Sequence, residues 1–514
     1  MSQDHAGNNS APEFDTAMEK KSSISIIFWS VLGIVTLVRL AYGLKLPLTG
    51  DEAYFWEWGR HPALGYYDHP PAAGWILWVT RQIFGETAAA VRVPAVLAGA
   101  MVVAVIHRFT LDITGSRRWA ALTGLLALGI PVLSVLGVVY STDTPVLAAG
   151  TLGGYFFHRA VNRGKDRAWI WTGICFAIVL ASKFLGVPLL GAAGLYLLLN
   201  PGARGHLKTP GPYAAAALSL LGFIPVIIWN ASNEWATFAF NFASRHSSLS
   251  FSMKGVLDYL LGQALGLSPV VFILAIPLLA AAIPVWREGG ERGRGIAAFF
   301  ALAPLGGFLL LSPVTKVGAH WPGVAVPFLA VALGAKLSAG PTAKKKYFAA
   351  AATAWSITII LFLIPLVPYL LPADWAYPLR PEKINTAQLK KIMGSPTESG
   401  KMVGAVLEEM EREGEVFAFT KSYALSSLMA FYTPAHPEVT VLGKGSVHGR
   451  NHLLWFEPAQ HIGRNALFVS YKPVSAEKSF IEERFDRWEA VVDSGGPEGN
   501  LISVVKCYGY KGIR

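Results

Sequence analysis

Acidic, imidazole and aromatic side chains crowd one stretch of this chain, which reads PLTGDEAYFWEWGRHPALGYYDHPPAAGWILW from Pro47. Asp51, Glu52, Glu57, His61, Asp68 and His69 stand there among Tyr54, Trp56, Trp58, Tyr66 and Tyr67. Asp51 and Glu52 follow at once on an apolar run long enough to cross a bilayer, so they lie at the depth of lipid headgroups. A carboxylate at that depth is placed to take the proton from a hydroxyl group as the hydroxyl attacks a headgroup sugar. An amphipathic aromatic helix lying in the interface, with a charged rim, would carry the same residue types. Asp143, in Tyr140-Ser-Thr-Asp-Thr-Pro145, is a second candidate acid, in a short turn between two apolar runs. Thr142 or Asp143 would also cap the following helix, with Pro145 in its first turn. Capping and chemistry are compatible, because this turn faces the same side as Asp51.

Cations near this depth are few. Arg39 lies inside the first apolar run, Lys183 interrupts another, Arg245 and His246 sit in a polar connection, and Lys316 and His320 precede Trp321-Pro322. A charge close to hydrocarbon is expensive unless it is paired or snorkels to the interface, so these residues are interfacial anchors or members of a site. A sugar joined to a lipid through phosphate needs such cations, which hold the phosphate and offset the charge growing on it as the bond to C1 breaks. Arg81 and Arg92 read as surface or span-end charges. The spacing of His61, Asp68 and His69 matches no closed zinc motif. A divalent ion on Asp51 and Asp143 would suit the oxygen ligands that hard cations take, although no motif requires one. The chain has no GxxxxGK[ST] loop and no dinucleotide fingerprint, so no nucleotide cofactor is implied.

The elements that must position these residues are mostly membrane helices. Of the 514 residues 53% are hydrophobic and 15% charged, with a mean hydropathy of +0.42; soluble domains carry about 25% charged residues. Residues 1–370 hold 27 Lys/Arg and 16 Asp/Glu, whereas residues 371–514 hold 17 of each. The chain therefore divides into a polar, disordered tail over 1–23, a lipid-embedded region over 24–370 and a soluble domain over 371–514. Eleven runs are apolar enough to be candidate spans: 24–46, 93–111, 119–139, 144–160, 168–182, 184–199, 211–229, 266–285, 296–313, 320–338 and 347–370. The first lacks a small-residue cleavage site and is followed by many others, so it is a retained span rather than a leader.

With the N-terminus inside, the inside connections hold 18 Lys/Arg and the outside ones 8, the bias that orients membrane proteins. The long connection 47–92, Asp143, Lys183, the connection 230–257, the loop 314–319 and the soluble domain then share the outer face. The net charge of +11 lies wholly within residues 1–370 and belongs to the cytoplasmic loops, not to a nucleic-acid surface. Cys175 and Cys507 are the only cysteines and suggest no bridge. In the soluble domain a helix is expected over 385–412 and another over Ser422–Tyr432. Strands are expected at Val416–Thr420, Val439–Leu442, Leu453–Phe456, Ala466–Tyr471 and Leu501–Tyr508, which together make a small α/β domain.

Several short motifs recur in a familiar order. They are Gly50-Asp51-Glu52-Ala53-Tyr54-Phe55-Trp56, Tyr67-Asp68-His69-Pro70-Pro71, Ser141-Thr142-Asp143-Thr144-Pro145, Ala181-Ser182-Lys183-Phe184, Trp229-Asn230, Gly262-Gln263 and Lys316 to Trp321-Pro322. In this order the membrane region, over residues 25–370, resembles the bacterial GT-C glycosyltransferases of the protein-mannosyltransferase type, the group that includes the lipid A aminoarabinose transferases. The resemblance implies an all-α polytopic GT-C fold in a bacterial inner membrane and a polyprenyl-phosphate sugar donor used on the outer face. It also implies inversion at C1 and a lipid or glycan acceptor. The family's essential acid of the first outside loop falls on Asp51, with Glu52 beside it, and a second functional acid falls on Asp143. The acid-Lys-Pro-Pro motif that helps hold the donor phosphate or a metal becomes Asp68-His69-Pro70-Pro71, and an unperturbed imidazole, mostly neutral at pH 7, holds phosphate less well.

Catalysis is therefore expected from Asp51, Glu52 and Asp143, and substrate contacts from Arg39, His61, Tyr67, Asp68, His69, Lys183, Arg245, Lys316 and His320. A transporter or lipid flippase is the competing class. Its acids would gather at the midplane rather than in outside loops, and the spans show no obvious two-fold repeat.

Overall fold

The computed structural model describes residues 11–243, 251–287, 294–340, 342–366, 386–443, 449–494 and 501–512. Helices α1 (Ala11–Lys45), α2 (Gly50–Arg60), α3 (Ala72–Phe84), α4 (Ala88–Thr114), α5 (Arg117–Gly129), α6 (Pro131–Leu136), α7 (Asp143–Arg163), α8 (Arg167–Leu180) and α9 (Val187–Leu199) form the first part of the membrane region. It continues with α10 (Gly211–Leu220), α11 (Ile224–Ala231), α12 (Ala236–Phe238), α13 (Met253–Leu267), α14 (Pro269–Arg287), α15 (Arg294–Leu311), α16 (Val326–Ser338) and α17 (Ala343–Leu363). The chain is thus a multi-pass membrane protein with a C-terminal α/β domain. Large apolar side chains such as Ile34, Leu37 and Val38 on α1 and Ile359 and Ile360 on α17 are exposed, as lipid-facing residues are.

Over its described residues, every apolar run read from the sequence falls on one of these helices or on a broken pair. Among the described residues, six helical stretches are long and apolar enough to cross by themselves. A seventh would be Met253–Leu267 with Pro269–Ala280, bent by 111°, where Ser268 takes a left-handed φ of 75°. The other expected spans fall on shorter or broken helices: α8 and α9 run only 14 and 13 residues, Pro131 breaks α5 from α6, and α7 carries charge at both ends. Helix α13 was not foreseen, since its residues fell partly in the connection 230–257. Helix α1 begins at Ala11 and so reaches back into the polar tail.

The soluble domain holds α18 (Thr386–Glu411), β1 (Val416–Thr420), α19 (Tyr423–Tyr432), β2 (Val439–Val441), α20 (Asn451–Trp455), β3 (Asn465–Ser470), α21 (Val474–Arg484), β4 (Phe485–Val492) and β5 (Ser503–Tyr510). The sheet order is β2-β1-β3-β5-β4. The strand β1 is parallel to β2 and β3, and β5 is antiparallel to β3 and β4. Two expectations fail here. The segment expected as strand Leu453–Phe456 is mostly helix α20, and β4 was missed because all but its first residue lie on a largely exposed edge, where the alternation that marks a half-buried strand is weak.

The two parts share one apolar core. Trp56 and Trp58 of α2 and Leu77 of α3 pack with Leu425, Leu428, Met429 and Phe431 of α19 and with Leu467 and Val469 of β3. Each such buried side chain contributes about 1.5–3 kcal/mol, so the soluble domain is seated firmly on the connection 47–92. The hydroxyl of Tyr432 adds a polar tie, accepting from the Leu48 backbone N–H at 2.7 Å.

Candidate active site

The first turn of α2 separates two neighbouring acids. Thr49 caps this helix reciprocally: its hydroxyl accepts from the Glu52 N–H at 3.2 Å, and its own N–H donates to Glu52 Oε2 at 2.9 Å. Successive helix residues point about 100° apart, so Glu52 turns inward while Asp51 turns out. Glu52 is wholly buried. Arg92 of α4 donates Nε to Glu52 Oε1 at 2.9 Å and Nη2 to Oε2 at 2.8 Å, and the Tyr140 N–H donates to Oε1 at 3.2 Å. The remaining Arg92 donors go to the carbonyls of Gly43, Leu46 and Pro47. Glu52, expected as catalytic, is buried in these bonds and ties α2 to α1 and α4 through Arg92. Arg92 is not a surface charge but the other half of that tie.

Asp51 is exposed. Its Oδ1 accepts a hydrogen bond from the hydroxyl of Tyr423, on α19, at 2.7 Å. Its Oδ2 makes no hydrogen bond among the described residues. Burial and the nearby carboxylate push the Tyr423 phenol well above its usual range, so it stays a donor at working pH. The soluble domain thus reaches into the connection 47–92 and touches Asp51.

A second cluster surrounds Asp143. Local hydrogen bonds from the Ser141 N–H to Thr144 Oγ1 and from the Asp143 N–H to Ser141 Oγ hold the start of α7. The carboxylate is left for Lys183, whose Nζ donates to both oxygens at 2.9 and 2.8 Å. Both residues are buried. His320 Nε2 lies 3.5 Å from the same carboxylate, and His69 is close enough to act on it electrostatically. Lys183 is presented by a turn that follows α8. The Ala181 carbonyl there accepts from the Ala72 N–H at 2.8 Å, which ties this turn to the segment 61–71.

That segment joins the two acids. Asp68 Oδ1 accepts from the Tyr54 hydroxyl at 3.3 Å and from Asn451 Nδ2 at 3.4 Å, while its Oδ2 faces the Gly449 N–H at 3.5 Å. His69 Nδ1 is 3.9 Å from Asp68. The Tyr67 N–H donates to Asn451 Oδ1 at 2.9 Å, and Arg450 donates to the Tyr67 hydroxyl at 3.1 Å. Thr237 and Asn241 pin the loop from the membrane side through the carbonyls of Tyr66 and Asp68. The Tyr54 and Tyr423 rings meet edge to face at 5.1 Å. Gly449 takes a φ of 81°, and a Cβ there would strike the Tyr423 side chain, so only glycine lets Tyr423 reach Asp51. Asp51, Tyr423, Tyr54, Asp68 and His69 thus follow one another by direct contact, and His69 approaches the cluster of Asp143, Lys183 and His320.

Three expected site residues stand elsewhere. Arg39 is buried and donates to the Leu128 carbonyl at 2.8 Å and to Ser134 Oγ at 2.9 Å, which stitches the break between α5 and α6. His61 stacks on Trp455, with ring centroids 4.4 Å apart, and lies 3.3 Å from Glu438, under the soluble domain. Lys316 is exposed in the loop leading to His320 and forms no ion pair among the described residues. Arg245 and His246 lie outside the described residues. Among those that are described, no three His, Cys, Asp or Glu side chains are grouped to hold a metal ion.

Sequence reasoning assigned no role to a buried polar group beside the site. Glu57 is wholly buried in α2, and the Ser427 hydroxyl donates to its Oε2. His452 Nε2 lies 3.3 Å from both Ser427 Oγ and Glu57 Oε2. Burial pushes the Glu57 carboxyl up to about 8, the Ser427 bond opposing, and burial pushes His452 down to about 3. Burial thus disfavours charge on both groups. The signal in the sequence was an acid flanked on both sides by tryptophan, and its partner lies 370 residues away.

The side chains of the site thus lie on one side of a polytopic helical region, beneath a small α/β domain. The chain has the GT-C fold, and its sequence is similar to protein mannosyltransferases and to a lipid A-modifying transferase. Residues 68–229 match the family model described as dolichyl-phosphate-mannose-protein mannosyltransferase. The lipid A galacturonosyltransferase RgtD of Rhizobium johnstonii is 21% identical over 275 residues, which is 53% of this chain and 56% of that protein. The chain thus spans little more than half the length of that curated relative. The crystal structure of ArnT from Cupriavidus metallidurans matches with a TM-score of 0.63 in its apo state, at 16% identity, over 94% of this chain and 97% of that one. The same protein bound to undecaprenyl phosphate matches with a TM-score of 0.65, at 17% identity, over the same shares. At these identities the two likenesses show the fold.

Proposed function

We propose that the chain transfers a sugar from a polyprenyl-phosphate donor to a lipid or glycan acceptor on the periplasmic face of a bacterial inner membrane, where the soluble domain also lies. The observation that carries this reading is Asp51: an exposed carboxylate at headgroup depth, oriented through one oxygen by Tyr423 while the other is open. In the reaction the acceptor oxygen attacks C1 of the sugar from the face opposite the phosphate. The C1–O bond to the phosphate breaks, its electron pair leaves with the lipid phosphate, and Asp51 takes the acceptor proton. Inversion at C1 follows from this single displacement.

Lys183 offsets the negative charge that grows on the leaving phosphate, and His320 stands beside it as a hydrogen-bonding imidazole. Asp143 holds Lys183 in place, so its role is to position the cation. Tyr67, Asp68 and His69 form the wall between the two ends. The names of the relatives, lipid A galacturonosyltransferase and a protein crystallised with undecaprenyl phosphate, support a polyprenyl-linked donor and a lipid acceptor. No partner role for nucleic acid enters.

The test is a transfer assay on the purified full chain in nanodiscs. It offers a panel of polyprenyl-phosphate sugars with a membrane lipid extract, and products are read by mass spectrometry. A lipid or glycan gaining one sugar mass supports the reading. No transfer across the panel, together with ion-coupled flux in vesicles, would make the chain a transporter.

A further inference from the structure

The end of the membrane region farthest from Asp51 carries a basic cavity. Helices α4 and α7 both start at the candidate site, with Arg92 near the start of one and Asp143 at the start of the other. At 1.5 Å per residue, they travel about 40 and 30 Å to their other ends. There Arg108, Arg159, Arg163 and Lys165 line a cavity of about 800 Å³ together with a single acid, Asp112.

The cations are set rather than loose. Arg108 and Arg159 flank Asp112 at 3.3 and 3.5 Å and both donate to the Tyr155 hydroxyl, which itself donates to Asp112 at 3.0 Å. Arg163 donates to the Asp112 carbonyl, and Lys165 forms no ion pair among the described residues. Four cations face one carboxylate, so the cavity keeps an excess of three positive charges. Alongside it, α8 turns Ile170, Trp171, Ile174 and Ile178 outward with 48, 52, 37 and 42% of their surface exposed. An apolar, lipid-facing strip thus begins where the basic cavity ends.

We propose that this cavity binds the phosphate headgroup of an anionic phospholipid in the leaflet opposite the Asp51 site, with the acyl chains lying along α8. Charge excess, fixed guanidinium groups and an adjoining apolar strip are what a phosphate-bearing headgroup with tails requires. Positive-inside charge alone would call for none of these together. A second basic recess on the same face, lined by Arg118, Lys344 and Lys345, has no acid among its lining residues and serves as the comparison. The proposal is independent of the sugar-transfer reading.

The experiment titrates delipidated full-length protein with phosphatidylglycerol or phosphatidylcholine and counts bound lipid by native mass spectrometry. Wild type is expected to retain phosphatidylglycerol in preference. Arg163→Gln with Lys165→Gln, both exposed and so compatible with folding, should weaken it about thirtyfold, the effect of two surface cations. Lys344→Gln with Lys345→Gln should bind as wild type, and the charge-keeping pair Arg163→Lys with Lys165→Arg should retain most of the affinity. Equal loss in both neutral pairs, equal binding of phosphatidylcholine, or displacement of the lipid by inorganic phosphate would each overturn the proposal.

Discussion

Replacing Arg92 by methionine should do more damage than replacing any exposed residue of the connection 47–92. The guanidinium meets Glu52 with two hydrogen bonds of 2.9 and 2.8 Å and also serves the carbonyls of Gly43, Leu46 and Pro47. Its loss leaves Glu52 buried without a cation, which costs about 3–5 kcal/mol. Three carbonyls at the α1–α2 connection lose their donor as well, each a further cost of about 1–3 kcal/mol where water cannot reach. Against a usual stability of about 5–15 kcal/mol, R92M should melt far below wild type or fail to leave the void volume on size exclusion. Adding Glu52→Leu removes the orphaned charge, so the double variant should recover part of the loss. Recovery stays partial because the carbonyls remain unserved. Thermal unfolding of the four proteins in one detergent gives the coupling directly. R92M melting with wild type, or a double variant no better than R92M, would refute the claim that Glu52 is an anchor.

Other consequences can be checked in the same preparations. Tyr423→Phe removes one hydrogen bond to a carboxylate, worth about 1.5–3 kcal/mol; it should lower kcat tenfold or more with KM little changed, and an unchanged kcat would remove Tyr423 from the site. Lys183→Met leaves Asp143 buried with only imidazoles near it and should lose both stability and turnover, whereas Asp143→Asn should lose less stability; a K183M protein that behaves as wild type would contradict the pair's role. Seating of the soluble domain should depend on pH with a defined shape. Glu57 lies at about 8 when folded against an ordinary 4.5, so its contribution is full below 4.5 and is lost as pH rises to 8. His452 lies at about 3 against an ordinary 6.5, so its contribution is full above 6.5 and is lost as pH falls. Between 4.5 and 6.5 the two slopes cancel, which predicts a plateau in melting temperature over that range and a fall on either side. Glu57→Gln should abolish the alkaline fall, and a melting temperature that kept rising toward pH 8 would contradict the burial of this carboxyl.

What the sequence made legible was local. The start of α2 could be placed because Thr49, Asp51 and Glu52 lie just past the first apolar run, and the Asp143 turn and Lys183 announced themselves as charges against apolar runs. Three of the five expected strands lie within one or two residues of β1, β2 and β3, and the fifth overlaps β5, because their buried β-branched and aromatic residues carry a strong pattern. What could not be read depends on contacts between distant segments. Asp51 and Glu52 are the same chemistry side by side, and only the arrival of Arg92 from α4 tells the anchor from the exposed acid. Arg39 has the sequence signature of a phosphate ligand, and only the fold shows its bonds to Ser134 and the Leu128 carbonyl. Tyr423, Gly449 and Asn451 sit in a domain that no local signal links to the connection 47–92, although they complete its polar contacts. The strand β4 escaped because its edge position leaves seven of its eight residues less than fully buried.

The central claim is that Asp51 takes the acceptor proton while Glu52 only holds the helix. The most direct measurement is sugar transfer by full-length D51N beside wild type, at matched melting temperature, with a polyprenyl-phosphate sugar and the acceptor that wild type uses. The account predicts that D51N folds, melts with wild type and transfers no sugar. D51N that keeps most of the wild-type rate would contradict it.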